Sequence, residues 1–192
     1  AATLPNSYNS VENIAPLETP LSSTINGAAL ATPVFLSLYA ENDLRLDKYF
    51  AETDEKGFRK NKKAGSNNYL CTFRVGEIYL TAAEAAARLG ELSQARTRLL
   101  ELMRKRYAPE AYEAKSVVVN AMDKEALVQE ILDERARELA FEGHRWFDLR
   151  RSTRPRLEKV LDGTRYVLEE NDARYTLAIP KEAIEANPGL LN

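Results

Sequence analysis

Cysteine, histidine and tryptophan are each present once in these 192 residues, as Cys71, His144 and Trp146. A lone cysteine excludes an internal disulfide framework and any cysteine-rich zinc site, and leaves the redox compartment undecided. A lone histidine excludes the paired Glu-x-x-His ligands of bundle di-metal centres and the His-Glu-x-x-His of zinc hydrolases. No apolar run reaches the roughly eighteen residues of a membrane-spanning helix. Glycine-rich phosphate loops are missing, as are basic runs interleaved with aromatics. Charge of one sign is lacking too: 27 basic residues face 29 acidic ones, a net of -2, which does not steer the chain toward nucleic acid.

What is present suffices for one domain, or one and a half, with a real core. The first residues do not show the basic-then-apolar layout of a secretion signal. If the protein is exported, that segment has been removed. No lipid-anchoring cysteine stands near residue 1, so membrane attachment is expected only outside this stretch, and the chain reads as a candidate fragment of something longer.

Residues 1–38 are rich in Ser, Thr, Asn and Pro and form an expected irregular segment, with a short helix or an extended stretch starting at Pro33. A lysine-rich stretch, 54–68, is expected as a solvated loop or hairpin. Helical periodicity begins near Phe73 and runs to Leu89, with Val75, Ile78, Ala82, Ala85, Ala86 and Leu89 on the expected buried face and Gly90 as terminator. A second helix is expected from a Ser93 cap to Tyr107, burying Ala95, Leu99, Leu102 and Met103. The short connection makes the two an antiparallel pair. The Leu89-Gly90, Ala95, Leu99 layout matches a tetratricopeptide-type hairpin; an ordinary helical hairpin carries the same pattern.

After a looser segment from Pro109, Asp123 is placed to cap a long third helix, with Met122 and Leu127 as its staple. Continued to Arg150, that helix carries Val128, Leu132, Ala136, Leu139, Gly143 and Trp146 on one face. Tyr166–Leu168 and Arg174–Leu177 read as a small hairpin, followed by a helical turn after Pro180. The fold class is therefore mainly α: a tetratricopeptide-like hairpin packed with a long third helix, and a minor β-hairpin near the carboxy terminus.

Charge interrupts the apolar lines. Glu134, Glu138, Glu142 and Arg145 share a narrow arc with Leu127, Ile131 and Leu149, flanked by Arg135 and Arg137. Arg74, Glu77, Glu84 and Arg88 bring the same mixture to the first helix. Half-buried carboxylates require paired, hydrogen-bonded partners, and arginine's fork serves best, so Arg74, Glu77, Glu84, Glu134, Arg135, Glu138, Glu142 and Arg145 form an expected inter-helix ion network. Glu138 and Glu142 as a catalytic or metal-ligating pair is the functional alternative. Surrounding arginines lower carboxylate pKa values, which unsuits these groups as general acids. His144 is read as structural, and Trp146 and Phe147 as packing, with Trp146 as a sugar-stacking platform the alternative. Arg150, Arg151, Arg154 and Arg156 are expected to meet the helix carboxy terminus and solvent.

Three blocks resemble the SusD/RagB family of nutrient-binding outer-membrane lipoproteins, in its carboxy-terminal region. They are Glu134 to Arg151 (ERARELAFEGHRWFDLRR), Phe73 to Ala85 (FRVGEIYLTAAEA), and Ile179-Pro180 with Asn187-Pro188-Gly189. Asn42-Asp43-Leu44-Arg45 fits upstream, so the resemblance spans 39–192. It implies a non-catalytic, cofactor-free protein on the extracellular face of the outer membrane. Such a protein binds a glycan or other nutrient and works with a SusC-like TonB-dependent transporter, held to the membrane only through a lipid anchor. It also implies a longer protein whose amino-terminal half supplies further helices and part of the ligand site. The matched residues imply scaffolding, so ligand contacts are expected in the irregular segment, with Tyr8, Asn26 and Tyr39 as candidates for stacking and hydroxyl recognition. A tetratricopeptide-like protein-interaction adaptor is the alternative function.

Overall fold

The computed structural model describes residues 10–18, 30–63, 69–161, 163–187 and 189. The chain forms two compact units, Ala1–Arg145 and Trp146–Asn192, and eight helices stand among the described residues.

In the first unit, short elements come first: β1 (Asn13–Glu18), β2 (Leu30–Ala31), α1 (Pro33–Leu36), α2 (Arg45–Tyr49), β3 (Arg59–Lys60) and β4 (Tyr69–Arg74). Thr32 caps α1, its hydroxyl accepting from the Phe35 amide, and Pro33 opens the helix where no amide is needed. The expected irregular segment therefore contains a strand. β1 pairs antiparallel with β4, placing Asn13 opposite Arg74, and β3, inside the stretch expected as a solvated loop or hairpin, pairs antiparallel with β2.

Four helices follow: α3 (Val75–Leu89), α4 (Leu92–Met103), α5 (Pro109–Ala121) and α6 (Lys124–Glu138). Gly90 ends α3 at φ 86°, as the sequence indicated, and its amide returns to the Ala86 and Ala87 carbonyls. Ala95, Leu99, Leu102 and Met103 are all buried on α4, although Glu91 rather than Ser93 precedes the first turn. Asp123 caps α6 by accepting from the Ala126 amide. One aliphatic core joins Leu80, Ala83 and Ala87 of α3, Leu99 and Met103 of α4, Val119 of α5, and Leu127 and Ile131 of α6.

Three expectations are corrected. The buried face of α3 is Gly76, Leu80, Ala83, Glu84, Ala86 and Ala87, of which Ala86 was expected, whereas Ile78, Ala82, Ala85 and Leu89 are exposed. Alanine occupies both arcs, so period alone did not select between them. The looser segment after Pro109 is the helix α5, whose consecutive valines hid its period: Val119 is buried and Val117 is 70% exposed. The long third helix stops at Glu138, because side chains capture the carbonyls that would extend it. Lys63 Nζ donates to the Glu138 and Ala140 carbonyls, both at 2.9 Å. Phe141 (φ 63°) and Gly143 (φ 86°) then turn the chain before α7 (His144–Arg151).

A second cluster in this unit is aromatic. Tyr39, Tyr49 and Phe50 are buried with Ala140, and Phe35 and Phe141 pack against them. Their rings meet edge to face, for example Tyr39 and Phe50 at 5.5 Å between centroids.

In the second unit the hairpin is β5 (Leu157–Leu161) with β6 (Thr164–Leu168), Leu157 opposite Leu168. Gly163 takes φ 77° at its turn. Arg174–Leu177, expected as its second strand, begins inside a 3-10 turn, Ala173–Tyr175, capped by Asp172. Tyr175 is buried, stacks on Trp146 at 5.2 Å, and donates its hydroxyl to the Pro155 carbonyl. A short helix, α8 (Lys181–Ala186), follows Pro180 as expected.

Candidate functional site

The charged arc of α6 supplies the most concentrated chemistry among the described residues. Glu134 and Glu138 lie about one helical turn apart on α6, Glu142 follows in the turn beyond its end, and all three are buried. No isolated carboxylate tolerates that environment ionised, so the surroundings must bring cations. They arrive from four other segments.

Glu138 receives three guanidinium groups. Arg74, the residue preceding α3, donates from Nη1 to Oε1. Arg106, after α4, donates through Nε at 2.9 Å and Nη2 at 2.9 Å, one to each carboxylate oxygen. Arg45, opening α2, donates from Nη1 to Oε2 at 3.0 Å. Arg45 also serves Glu134 at 2.7 Å and is gripped by Asp43, which accepts from its Nε at 2.9 Å and Nη2 at 2.8 Å. Glu134 further accepts from Arg137 Nε at 2.8 Å and the Tyr107 hydroxyl at 3.2 Å. Glu142 accepts from Arg74 Nη2 at 2.8 Å and Nε at 3.1 Å, and pairs with Lys63 Nζ. Glu12 closes the outer side on Arg106 at 2.6 Å. Such bidentate, charge-assisted bonds are the strong class.

Gly76 makes this closeness possible. A Cβ there would lie 2.9 Å from both Arg74 Nη1 and Glu138 Oε1, so the first turn of α3 can approach the pair only without a side chain.

The electrostatics follow from the geometry. Burial acts to raise the Glu138 carboxyl, but Arg106, Arg74 and Arg45 outweigh it and hold the group well below the usual carboxylate range. Glu134 is likewise lowered against burial by Arg45 and Arg137, and Glu142 by Lys63 and Arg74. Lys63 is the exception among the cations: burial dominates and lowers its ammonium to about 8, with Glu142 opposing. A carboxylate fixed in its ionised state by two or three cations is a poor proton donor. The arrangement is a clamp tying Glu12, Asp43, Arg45, Lys63, Arg74 and Arg106 to the end of α6.

Of the network expected from sequence, Arg74, Glu134, Glu138 and Glu142 are brought together. Glu84 pairs within α3 to Arg88 at 2.8 Å. Arg135 donates to Thr81 Oγ1 at 3.2 Å. Glu77 lies 3.7 Å from His144 Nδ1. Arg145 is exposed, and its expected burial is corrected: it follows the turn at Gly143, so helical spacing from Glu142 does not carry over. Phe147, expected to pack, is 63% exposed.

Sequence reasoning missed Arg45, Lys63 and Arg106 as network members. Arg45 stood in a block already noted, Asn42 to Arg45, whereas Lys63 sat among lysines that gave no sign of burial. Arg154 meets the carboxy-terminal end of α7 as expected, Nε donating to the Arg150 carbonyl at 3.0 Å.

Tyr8 and Asn26 lie outside the described residues. Tyr39 is only 7% exposed, with its ring in the aromatic cluster and its hydroxyl donating to the Arg137 carbonyl at 2.7 Å, so its role in the structure is packing. Among the described residues no group of three or more His, Cys, Asp or Glu is arranged to hold a metal ion, and no helix is long and apolar enough to cross a membrane.

The clamp sits in a mainly α-helical fold. The sequence profile of the SusD family matches residues 29–192, and the chain belongs to that family. The fold is similar to that of a solved SusD-like carbohydrate binding protein from Bacteroides vulgatus ATCC 8482, at TM-score 0.55 and 19% identity, covering 82% of this chain and 40% of that one. The chain thus spans less than half the length of that structure. A comparison with curated proteins returns no match.

Proposed function

We propose that this chain is the carboxy-terminal scaffold of a cell-surface glycan- or nutrient-binding protein that captures ligand without transforming it. In this reading the protein is lipid-anchored on the extracellular face of the outer membrane and delivers its ligand to a SusC-like TonB-dependent transporter. Membership of the SusD family and the similarity to a solved SusD-like carbohydrate binding protein support the ligand class.

The observation that carries the non-catalytic part is the saturation of Glu134, Glu138 and Glu142 by arginine and lysine, which keeps them ionised and enclosed. Catalytic carboxylates need one member raised toward neutral pH and access to substrate; these have neither. Ligand contacts then belong to loops on this scaffold or to sequence beyond the matched blocks.

The test is a glycan array probed with the protein as its native cell makes it, run beside a hydrolysis assay on each glycan that binds. Binding with the glycan recovered intact is the expected result. Turnover that disappears in a folded Glu138→Gln variant is the contrary one.

A further inference from the structure

The sheet of β1 and β4 joins two strands of unequal standing. β4 runs straight into α3 and ends on Arg74, which is fully buried and locked between Glu138 and Glu142. Residues 10–18, β1 and the turn before it, are held by lighter ties. The register against β4 is broken twice, between Asn13 and Ala15 and between Leu17 and Glu18, and two strands alone make a marginal sheet in water. Val11 is 95% exposed, Ile14 51%, and Ala15 is exposed as well. The charged anchor of the segment, Glu12, lies 2.6 Å from Arg106 Nη2 and 3.7 Å from Arg74 Nη1, with its side chain 30% exposed. Rim pairs of this kind are weak and screened by salt.

Losing Glu12 strands no buried ion, because Arg106 keeps both of its bonds to Glu138. The segment can therefore leave while the helices stay folded. Its departure uncovers the hydrogen-bonding edge of β4, the Val75 amide that donates to the Glu12 carbonyl at 2.9 Å, and the outer side of two guanidinium groups. That set suits an extended chain carrying a carboxylate, which is what residues 10–18 supply. The family profile draws the same line: β4, Arg74, Arg106 and Glu138 lie within the matched residues 29–192, and residues 10–18 lie before them.

We propose that the β4 edge is a docking groove for an extended, glutamate-bearing segment of a partner protein, and that residues 10–18 occupy it in cis as an exchangeable latch.

The test is peptide binding to the 192-residue chain, with a fluorescein-labelled nonapeptide of the sequence of residues 10–18 as the probe. The parent, Glu12→Lys and Glu12→Gln chains are compared by anisotropy, and their helix content by circular dichroism. Both substitutions loosen the latch and leave the groove intact. A cis occupant lowers apparent affinity by the fraction of time it is docked, so the variants are expected to bind about tenfold tighter than the parent. That binding weakens with salt and is lost when the peptide itself carries Glu12→Lys. Affinity that is equal for the parent and the folded variants, or indifferent to the glutamate of the peptide, overturns the proposal. So does a variant chain that ignores the peptide and dimerises in sedimentation, because the groove then takes a second copy. Loss of helix content in both variants overturns it too, since residues 10–18 are then part of the scaffold. None of these outcomes bears on glycan binding, so the latch and the proposed function fail separately.

Discussion

The first unit has two centres built on opposite principles. Around Leu80, Leu99, Met103 and Ile131 the helices are joined mainly by aliphatic contact. Around Glu138, a few turns further along α6, they are joined by buried ion pairs. An aliphatic core is graded and forgiving: a shortened side chain loses transfer free energy and leaves a cavity, but nothing is left charged. An ionic centre is all or none. Its net worth against apolar residues is small because each ion was taken from water, yet deleting one partner strands the others. What the ionic centre adds is definition of place. Lys63 and Arg106 come from stretches outside the helices and Arg45 opens a short one, and their donors are fixed on the carboxylates and carbonyls around the end of α6.

The sharpest way to break the comparison is a cation deletion. Arg74→Ala leaves Glu138 and Glu142 under-neutralised in a buried site and is expected to destabilise by about 3–5 kcal/mol, read from the urea midpoint. A loss below that of an aliphatic deletion would remove the distinction. For the aliphatic side, Leu99→Ala is expected to reduce stability by about 3 kcal/mol, with an unchanged denaturant slope. Gly76→Ala falls between the two centres. Its methyl collides with locked charged groups rather than with a flexible tip, and a loss of about 1–3 kcal/mol is expected in thermal unfolding.

The alkaline limb carries a smaller effect of definite sign. Lys63 titrates near 8 in the folded protein, and its ordinary value is about 10.4. Between pH 8 and about 10 the unfolded chain therefore holds a proton that the folded one has lost, and stability rises with pH. Lys63→Met should abolish that rise; a variant that still shows it would reassign the titration. The smallest effect is Arg145→Ala. At an exposed position it is expected to stay within about 0.5 kcal/mol of the parent by calorimetry.

The aliphatic centre was more legible in the sequence than the ionic one. Ala95, Leu99, Leu102 and Met103 repeat at helical spacing, Gly90 punctuates, and Asp123 caps, all local signals readable without a partner. The ionic centre was half visible. The carboxylates of α6 and Arg74 announced themselves by interrupting apolar faces. Lys63, Arg45 and Arg106 sit in stretches whose local pattern resembles ordinary solvated surface, and only the tertiary fold buries them. The same cause hid the break after Glu138: residues 139–143 carry one glycine and otherwise good helix formers, and the turn is imposed by Lys63 and Arg74 drawing on the Glu138 carbonyl. The α3 error has a different source, since a helix with two alanine-rich arcs offers two faces and the sequence does not rank them.

The central claim is that the three glutamates are structural anions, held ionised by their cations. It is tested most directly by urea denaturation of the parent and of Glu138→Gln from pH 7 down to pH 3. All three carboxyls are lowered in the folded state, so their contribution is complete above the ordinary glutamate value of about 4.3 and is lost as pH falls below it toward the folded values. The account predicts a parent that loses stability steeply across this range, and a Glu138→Gln variant that starts lower at pH 7 and falls less. A variant as stable as the parent at pH 7, with the same acid limb, would contradict it.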